Sequence, residues 1–85
     1  MSAKEMFEKL GYKQTKDNIF DDEEIKPQFE PYINYHNENK IEIVEIEFRF
    51  YSKRVWIYAV DKRTNCRIPA LLNYQEILAI QKQLE

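Results

Sequence analysis

Apolar and polar positions change rhythm twice along this chain of 85 residues. The first ten residues follow a helical rhythm, with Ala3, Met6, Phe7 and Leu10 on one face. Ser2 and Glu5 stand at capping-box spacing, so each side chain can bond the other's backbone N–H. Gly11 follows where a left-handed residue stops a helix. These signals predict a helix over 3–10, too short to hold alone and therefore docked on the rest of the chain.

From residue 32 the rhythm becomes that of strands. Residues 32–36 (Tyr-Ile-Asn-Tyr-His) read as one strand, and Asn37 to Lys40 as turn chemistry. Residues 41–50 alternate with one break. Ile41 and Ile43 are in phase with each other, whereas Val44, Ile46, Phe48 and Phe50 take the opposite phase. An extra residue at Ile43–Val44 would restore a single apolar face and predicts a β-bulge there; the alternative is two buried faces at that point. Residues 51–54 read as a hairpin turn, and 55–60 as a strand apolar on both faces. Residues 61–65 form a second turn, and a short strand follows that Pro69 confines to an edge or ends. A short edge strand over Tyr12–Lys16 is also compatible with the pattern.

The helical rhythm then returns. Asn73 and Glu76 repeat the capping-box spacing, and Ile77, Leu78, Ile80 and Leu84 predict the apolar face of a helix reaching about Leu84. Strands joined by turns this short pair antiparallel, because parallel neighbours need long crossovers. The expected fold is therefore one α+β domain over residues 1–85. It has an antiparallel meander of about four strands, with an N-terminal and a C-terminal helix on one face. Residues 17–31 form an acidic loop broken by Pro27 and Pro31, which Ile25 and Phe29 could pin to the body.

Composition supports a folded domain. Twelve aromatic residues, five Phe, six Tyr and one Trp, give a short chain much buried area per residue. Charge is segregated. Residues 17–47 hold ten acids against two bases, and residues 48–67 hold six bases against one acid. The segregation means either solvated surfaces that partly neutralise each other or a bipolar surface that steers a charged partner. No apolar run approaches the ~20 residues that span a bilayer. The N-terminus lacks the apolar stretch of a signal peptide, so a cytoplasmic location is expected.

Several chemistries are excluded or weak. With Gly11 the only glycine, phosphate-cradling and dinucleotide loops are ruled out. A single cysteine, Cys66, and a single histidine, His36, rule out a disulfide framework and the multi-Cys or His-rich zinc sites. Cys66 and His36 could form a catalytic pair only if the fold joined them. Glu42, Glu45 and Glu47 share one strand, with Glu45 and Glu47 on one face. Such carboxylates can hold a cation, but more often they solvate a strand. Asp21–Glu24 lacks the spacing and the glycine of a calcium loop. No catalytic, cofactor or metal residue is therefore expected.

What remains is a candidate interaction surface: Tyr35, Tyr51, Lys53, Arg54, Trp56, Tyr58, Lys62, Arg63 and Arg67. A two-layer fold leaves one sheet face open, and aromatics there can anchor a protein partner or a second copy. The favoured reading is a non-enzymatic protein-interaction or accessory domain. The alternative is a nucleic-acid-binding domain in which bases stack on the aromatics of residues 51–67 and the cations meet phosphate. The overall acidity weighs against it.

The two ends, Ser2-Ala3-Lys4-Glu5-Met6-Phe7-Glu8-Lys9-Leu10-Gly11-Tyr12 and Glu76-Ile77-Leu78-Ala79-Ile80-Gln81-Lys82-Gln83-Leu84-Glu85, carry a resemblance. They resemble the termini of small uncharacterised proteins encoded by phages and prophages of Gram-positive bacteria. Those proteins open with a short helix ending in Leu-Gly-Tyr and close with a helix after a Tyr-rich, strand-rich middle. The match covers about a quarter of the chain, and the middle here is longer and more acidic. The resemblance implies a bacterial or phage cytoplasmic origin and the same α+β layout, and it brings no activity.

Overall fold

The computed structural model describes residues 1–15 and 32–85. The acidic loop expected at 17–31, with Ile25, Phe29 and the Asp21–Glu24 run, lies outside the described residues.

Helix α1 spans Ala3–Lys9. Its capping box forms as the spacing predicts: Glu5 N–H donates to Ser2 Oγ, and Ser2 N–H to Glu5 Oε1, both at 3.1 Å. The Ser2 bonds hold the Glu5 carboxyl below its usual range. At the other end, Tyr12 N–H reaches Phe7 O at 3.0 Å and Gly11 N–H reaches Glu8 O at 3.1 Å. This is the Schellman arrangement, with Gly11 at φ +94°. A Cβ on Gly11 would meet Asn37 at ordinary contact distance, 3.5 Å, so space does not exclude a side chain. The backbone does. Gly11→Ala is expected to cost about 1–2 kcal/mol, the left-handed penalty of an L-residue, read as a lower urea midpoint with unchanged m-value.

Five strands follow: β1 Lys13–Thr15, β2 Tyr32–Glu38, β3 Glu42–Arg49, β4 Arg54–Asp61 and β5 Cys66–Ile68. They pair antiparallel in chain order, β1-β2-β3-β4-β5, which is a meander. Asn39 closes the β2–β3 turn, its Oδ1 accepting from Ile41 N–H and Glu42 N–H at 2.7 and 2.8 Å. The β3–β4 turn places Lys53 at φ +55°, and the β4–β5 turn places Asn65 at φ +56°. In the latter turn Asp61 Oδ1 accepts from Arg63 N–H, a bond that lowers the Asp61 carboxyl. β5 stops at Ile68, the residue before Pro69.

The bulge expected at Ile43–Val44 is absent. Register runs through without an inserted residue: Glu38 faces Ile43 and Asn37 faces Val44 on one side, Val60 and Ala59 on the other. Ile43 has no need to join the buried face, because it lies opposite Val60 on the far side of the sheet, and both are half-buried. Ile41 falls in the turn, 64% exposed.

Helix α2 spans Tyr74–Gln83, capped by the Asn73–Glu76 box. Both helices cover the same sheet face, and the core lies between the layers. Phe7, Tyr12, Tyr35, Ile46, Phe48 and Ala79 are its buried members. Phe7 stacks on Tyr35 at 4.1 Å and meets Tyr12 and Phe48 edge-on. The expected inner face of α2 needs correction. Ile80 packs inward, but Ile77, Leu78 and Leu84 are 41%, 49% and 60% exposed. Glu76, Ala79 and Gln83 turn inward instead. Two buried tyrosines are the cause: Tyr12 O–H donates to Glu76 Oε2, and Tyr35 O–H to Gln83 Oε1 at 2.8 Å. Glu76 and Gln83 are two turns apart on one helix face, with Ala79 between them permitting close approach. Among the described residues, no helix is long and apolar enough to cross a membrane.

Candidate interaction face

The sheet face opposite the helices is assembled in rows by the strand register. One row is Tyr32–Arg49–Arg54, the next Thr15–Asn34–Glu47–Trp56. Then come Lys13–His36–Glu45–Tyr58 and Glu38–Ile43–Val60–Arg67. Residues directly opposite one another share a face, so each row is a set of neighbours.

A chain of polar bonds crosses this face. Thr15 Oγ1 donates to Asn34 O at 3.1 Å and accepts from Asn34 Nδ2 at 3.0 Å. Asn34 Nδ2 also donates to Glu45 Oε2. Glu45 Oε1 lies 2.5 Å from His36 Nδ1, and His36 Nε2 lies 3.3 Å from Glu38 Oε1. Glu38 is held in turn by Lys62 Nζ at 2.7 Å, which lowers the Glu38 carboxyl.

His36 thus has a carboxylate on each ring nitrogen, and only the imidazolium can donate to both. The Glu45 bond is the largest cause of a raised His36 pKa, with partial burial opposing it. The folded value lies above the unfolded one, ~6.5. The stabilisation is therefore complete below ~6.5 and lost as pH rises through the folded value. The His36 Cε1 proton is expected to titrate with a midpoint above ~6.5 by NMR. His36→Gln should remove the fall in the urea midpoint that accompanies that titration.

The cations on this face are partly committed. Arg49 Nε donates to Glu47 Oε2 at 2.7 Å, and its guanidinium lies 5.7 Å from the Tyr32 ring and 5.9 Å from that of Trp56. Arg67 lies 5.3 Å from the Tyr58 ring. Burial, then Glu45 and Glu47, raise the Tyr58 phenol. Trp56 remains 49% exposed.

The residues singled out in the sequence fall in four places. Trp56, Tyr58 and Arg67 share the open face. Tyr51, Lys53 and Arg54 lie at the β3–β4 end, with Tyr51 76% exposed. Lys62 and Arg63 lie at the opposite end, roughly 24 Å away by strand rise, and they pair with Glu38 and Asp61. Tyr35 does not belong to the surface. It is 1% exposed in the core. The register sets it beside Ile46 on the helix face, where its hydroxyl finds Gln83. The bases of 51–67 therefore form no single patch, and Glu45 and Glu47 stand directly opposite Tyr58 and Trp56. Backbone phosphates laid across these rings would meet carboxylates.

Cys66 and His36 are not brought together. Cys66 pairs with Asp61 on β5, His36 with Glu45 on β2, and the two side chains point to opposite sheet faces. Glu45 and Glu47 are held by His36, Asn34 and Arg49. Among the described residues, no group of three or more His, Cys, Asp and Glu is placed to hold a metal ion.

A second surface was missed in the sequence. Tyr74, Ile77, Leu78 and Leu84 form an outward apolar stripe on α2, with Leu71 just before it. Tyr74 is 84% and Leu71 91% exposed. The signal was present as Tyr74-Ile77-Leu78 at i, i+3, i+4, but it reads equally well as a core face. Compared with known proteins, the chain matches no family model, no curated protein and no solved structure.

Proposed function

We propose that this chain is a protein-interaction domain, an accessory module rather than a catalyst. The observation that carries the reading is the outward stripe of α2. A helix that turns Glu76 and Gln83 inward while leaving Tyr74, Ile77, Leu78 and Leu84 outside presents apolar surface that a soluble monomer rarely leaves contiguous. Trp56 and Tyr51 add exposed rings of the type that anchor interfaces. The resemblance of the terminal segments to phage and prophage proteins suits an accessory role in a bacterial cytoplasm.

The test compares the intact chain with Leu78→Glu. Leu78 is half-exposed, so the variant should keep its thermal midpoint to within ~3 °C. Immobilised wild-type protein should retain a defined partner, or self-associate in sedimentation velocity, and Leu78→Glu should lose that property. A monomeric wild type that retains the same proteins as the variant would end the reading.

A further inference from the structure

We infer that the outer edge of β4 is a strand-addition site for an extended acidic segment of a partner protein. This deepens the protein-interaction reading and rests on it. β5 is three residues long and pairs only with Ala59, Val60 and Asp61. On the side of Arg54–Tyr58 away from β3, no strand is present among the described residues. No backbone hydrogen bond runs to that stretch from residues 69–73, which follow the end of β5 at Ile68 and lie outside the sheet. An edge strand with unpaired N–H and C=O groups invites pairing, and edges are usually blunted by brevity, proline, a bulge or inward charge. β1 and β5 are short, and β5 is followed by Pro69. The free half of β4 reads Arg-Val-Trp-Ile-Tyr and carries no proline, bulge or inward charge.

The surroundings favour an extended occupant. α1 lies over the β1–β2 side, since Phe7 stacks on Tyr35. α2 lies over β2 and β3, since Gln83 meets Tyr35 and Leu84 shares a cleft of about 400 Å³ with Phe48. Gln75 faces Met6 and Leu10 of α1. Ile77 lies about 200° around the helix from Gln75, hence on the flank toward β4. Beside that flank, Val55 and Ile57 on the helix face of β4 are only half-buried. A strand added along β4 would place alternate side chains between this floor and α2, and the others beside Trp56.

Charge selects the occupant. Lys53 and Arg54 stand exposed at one end of the free edge, and neither is paired with a described acid. Arg67 stands near the other end, over Tyr58. The acid lining the cleft, Glu85, is paired with Lys82 at 2.9 Å. The free stretch itself contains no acid, and Glu47 and Glu45, on the side of Trp56 and Tyr58 away from this edge, are held by Arg49 and His36. Positive charge at both ends of an apolar edge suits an acidic strand better than another copy of the same edge.

The probe is a blocked heptapeptide alternating glutamate and valine, added to the full chain at low salt. Trp56, the only tryptophan, reports by fluorescence, and backbone amides report by NMR. The expected result is saturable binding below ~1 mM, with amide shifts and slowed exchange centred on 54–58. The fully N-methylated peptide, which keeps the side chains but has no donors, should bind at least ~10-fold more weakly. A lysine–valine peptide should also be weaker, and Arg54→Glu should reverse that preference. Absence of binding at ~1 mM, or equal binding by the N-methylated peptide, overturns strand addition. So does concentration-dependent protection of 54–58 without peptide, which would assign the edge to a second copy. If the edge amides stay silent while partner capture still depends on Leu78, strand addition falls and the interaction reading stands.

Discussion

Phe7→Ala is expected to unfold most of the protein near physiological temperature. Phe7 is fully buried and is the ring on which the other aromatics converge, stacked on Tyr35 and edge-on to Tyr12 and Phe48. Truncating a buried phenylalanine costs about 3–5 kcal/mol through lost transfer energy and the cavity left behind. Small domains have only about 5–15 kcal/mol in total, and short chains sit low in that range. At about 4–8 °C per kcal/mol for a domain of this size, the melting midpoint should fall by roughly 15–30 °C. Phe7 is also the main anchor of α1, which is too short to persist undocked. Far-UV circular dichroism of the variant should therefore show lost helix as well as a lower midpoint. Phe7→Leu, which keeps most of the apolar volume, should recover more than half of the loss. Equal damage from Phe7→Leu and Phe7→Ala would contradict the packing account.

Glu76→Ala should be the most damaging change at a polar position. One carboxylate oxygen accepts from Asn73 N–H at 2.8 Å and caps α2, and the other accepts from the Tyr12 hydroxyl. Tyr12 is 2% exposed. Burial, followed by the bond to Glu76, holds its phenol protonated far above the usual tyrosine range. Removing the acceptor strands a buried donor, at about 1–3 kcal/mol, and weakens the cap as well. A total of about 2–4 kcal/mol is expected from urea unfolding. Tyr12→Phe removes the donor along with the bond and should cost less. The double variant should fall short of the sum of the singles by about 1 kcal/mol, the coupling expected of groups in direct contact. Strict additivity would show that the two groups do not support each other.

The site was legible in the sequence only in part. Trp56 and Tyr58 are surface candidates in the sequence because they interleave with the bases of residues 51–67, and the register places them opposite Glu47 and Glu45 on the open side. Alternation in residues 32–36 sets Ile33 and Tyr35 in one phase against Asn34 and His36 in the other, so the burial of Tyr35 follows the pattern and its place among the surface candidates does not. In the sequence the basic residues of 51–67 either mark two turns or form one stretch, and the register sets Lys53 and Arg54 at one turn, Lys62 and Arg63 at the other and Arg67 on β5.

The sequence by itself determined what depends on neighbours a few residues apart. Ser2–Glu5 and Asn73–Glu76 close their capping boxes over three residues, Gly11 stops α1, and short turns make the sheet an antiparallel meander. Only the tertiary structure decided which face each element shows. The inner face of α2 is chosen by hydroxyls 64 and 48 residues away, on Tyr12 and Tyr35. Ile43 keeps its phase without a bulge because Val60 lies opposite it across the hairpin. Local spacing encodes backbone hydrogen bonding. Facing is set by which distant groups must find apolar cover or a hydrogen-bond partner, and no short window of sequence contains both members of such a pair.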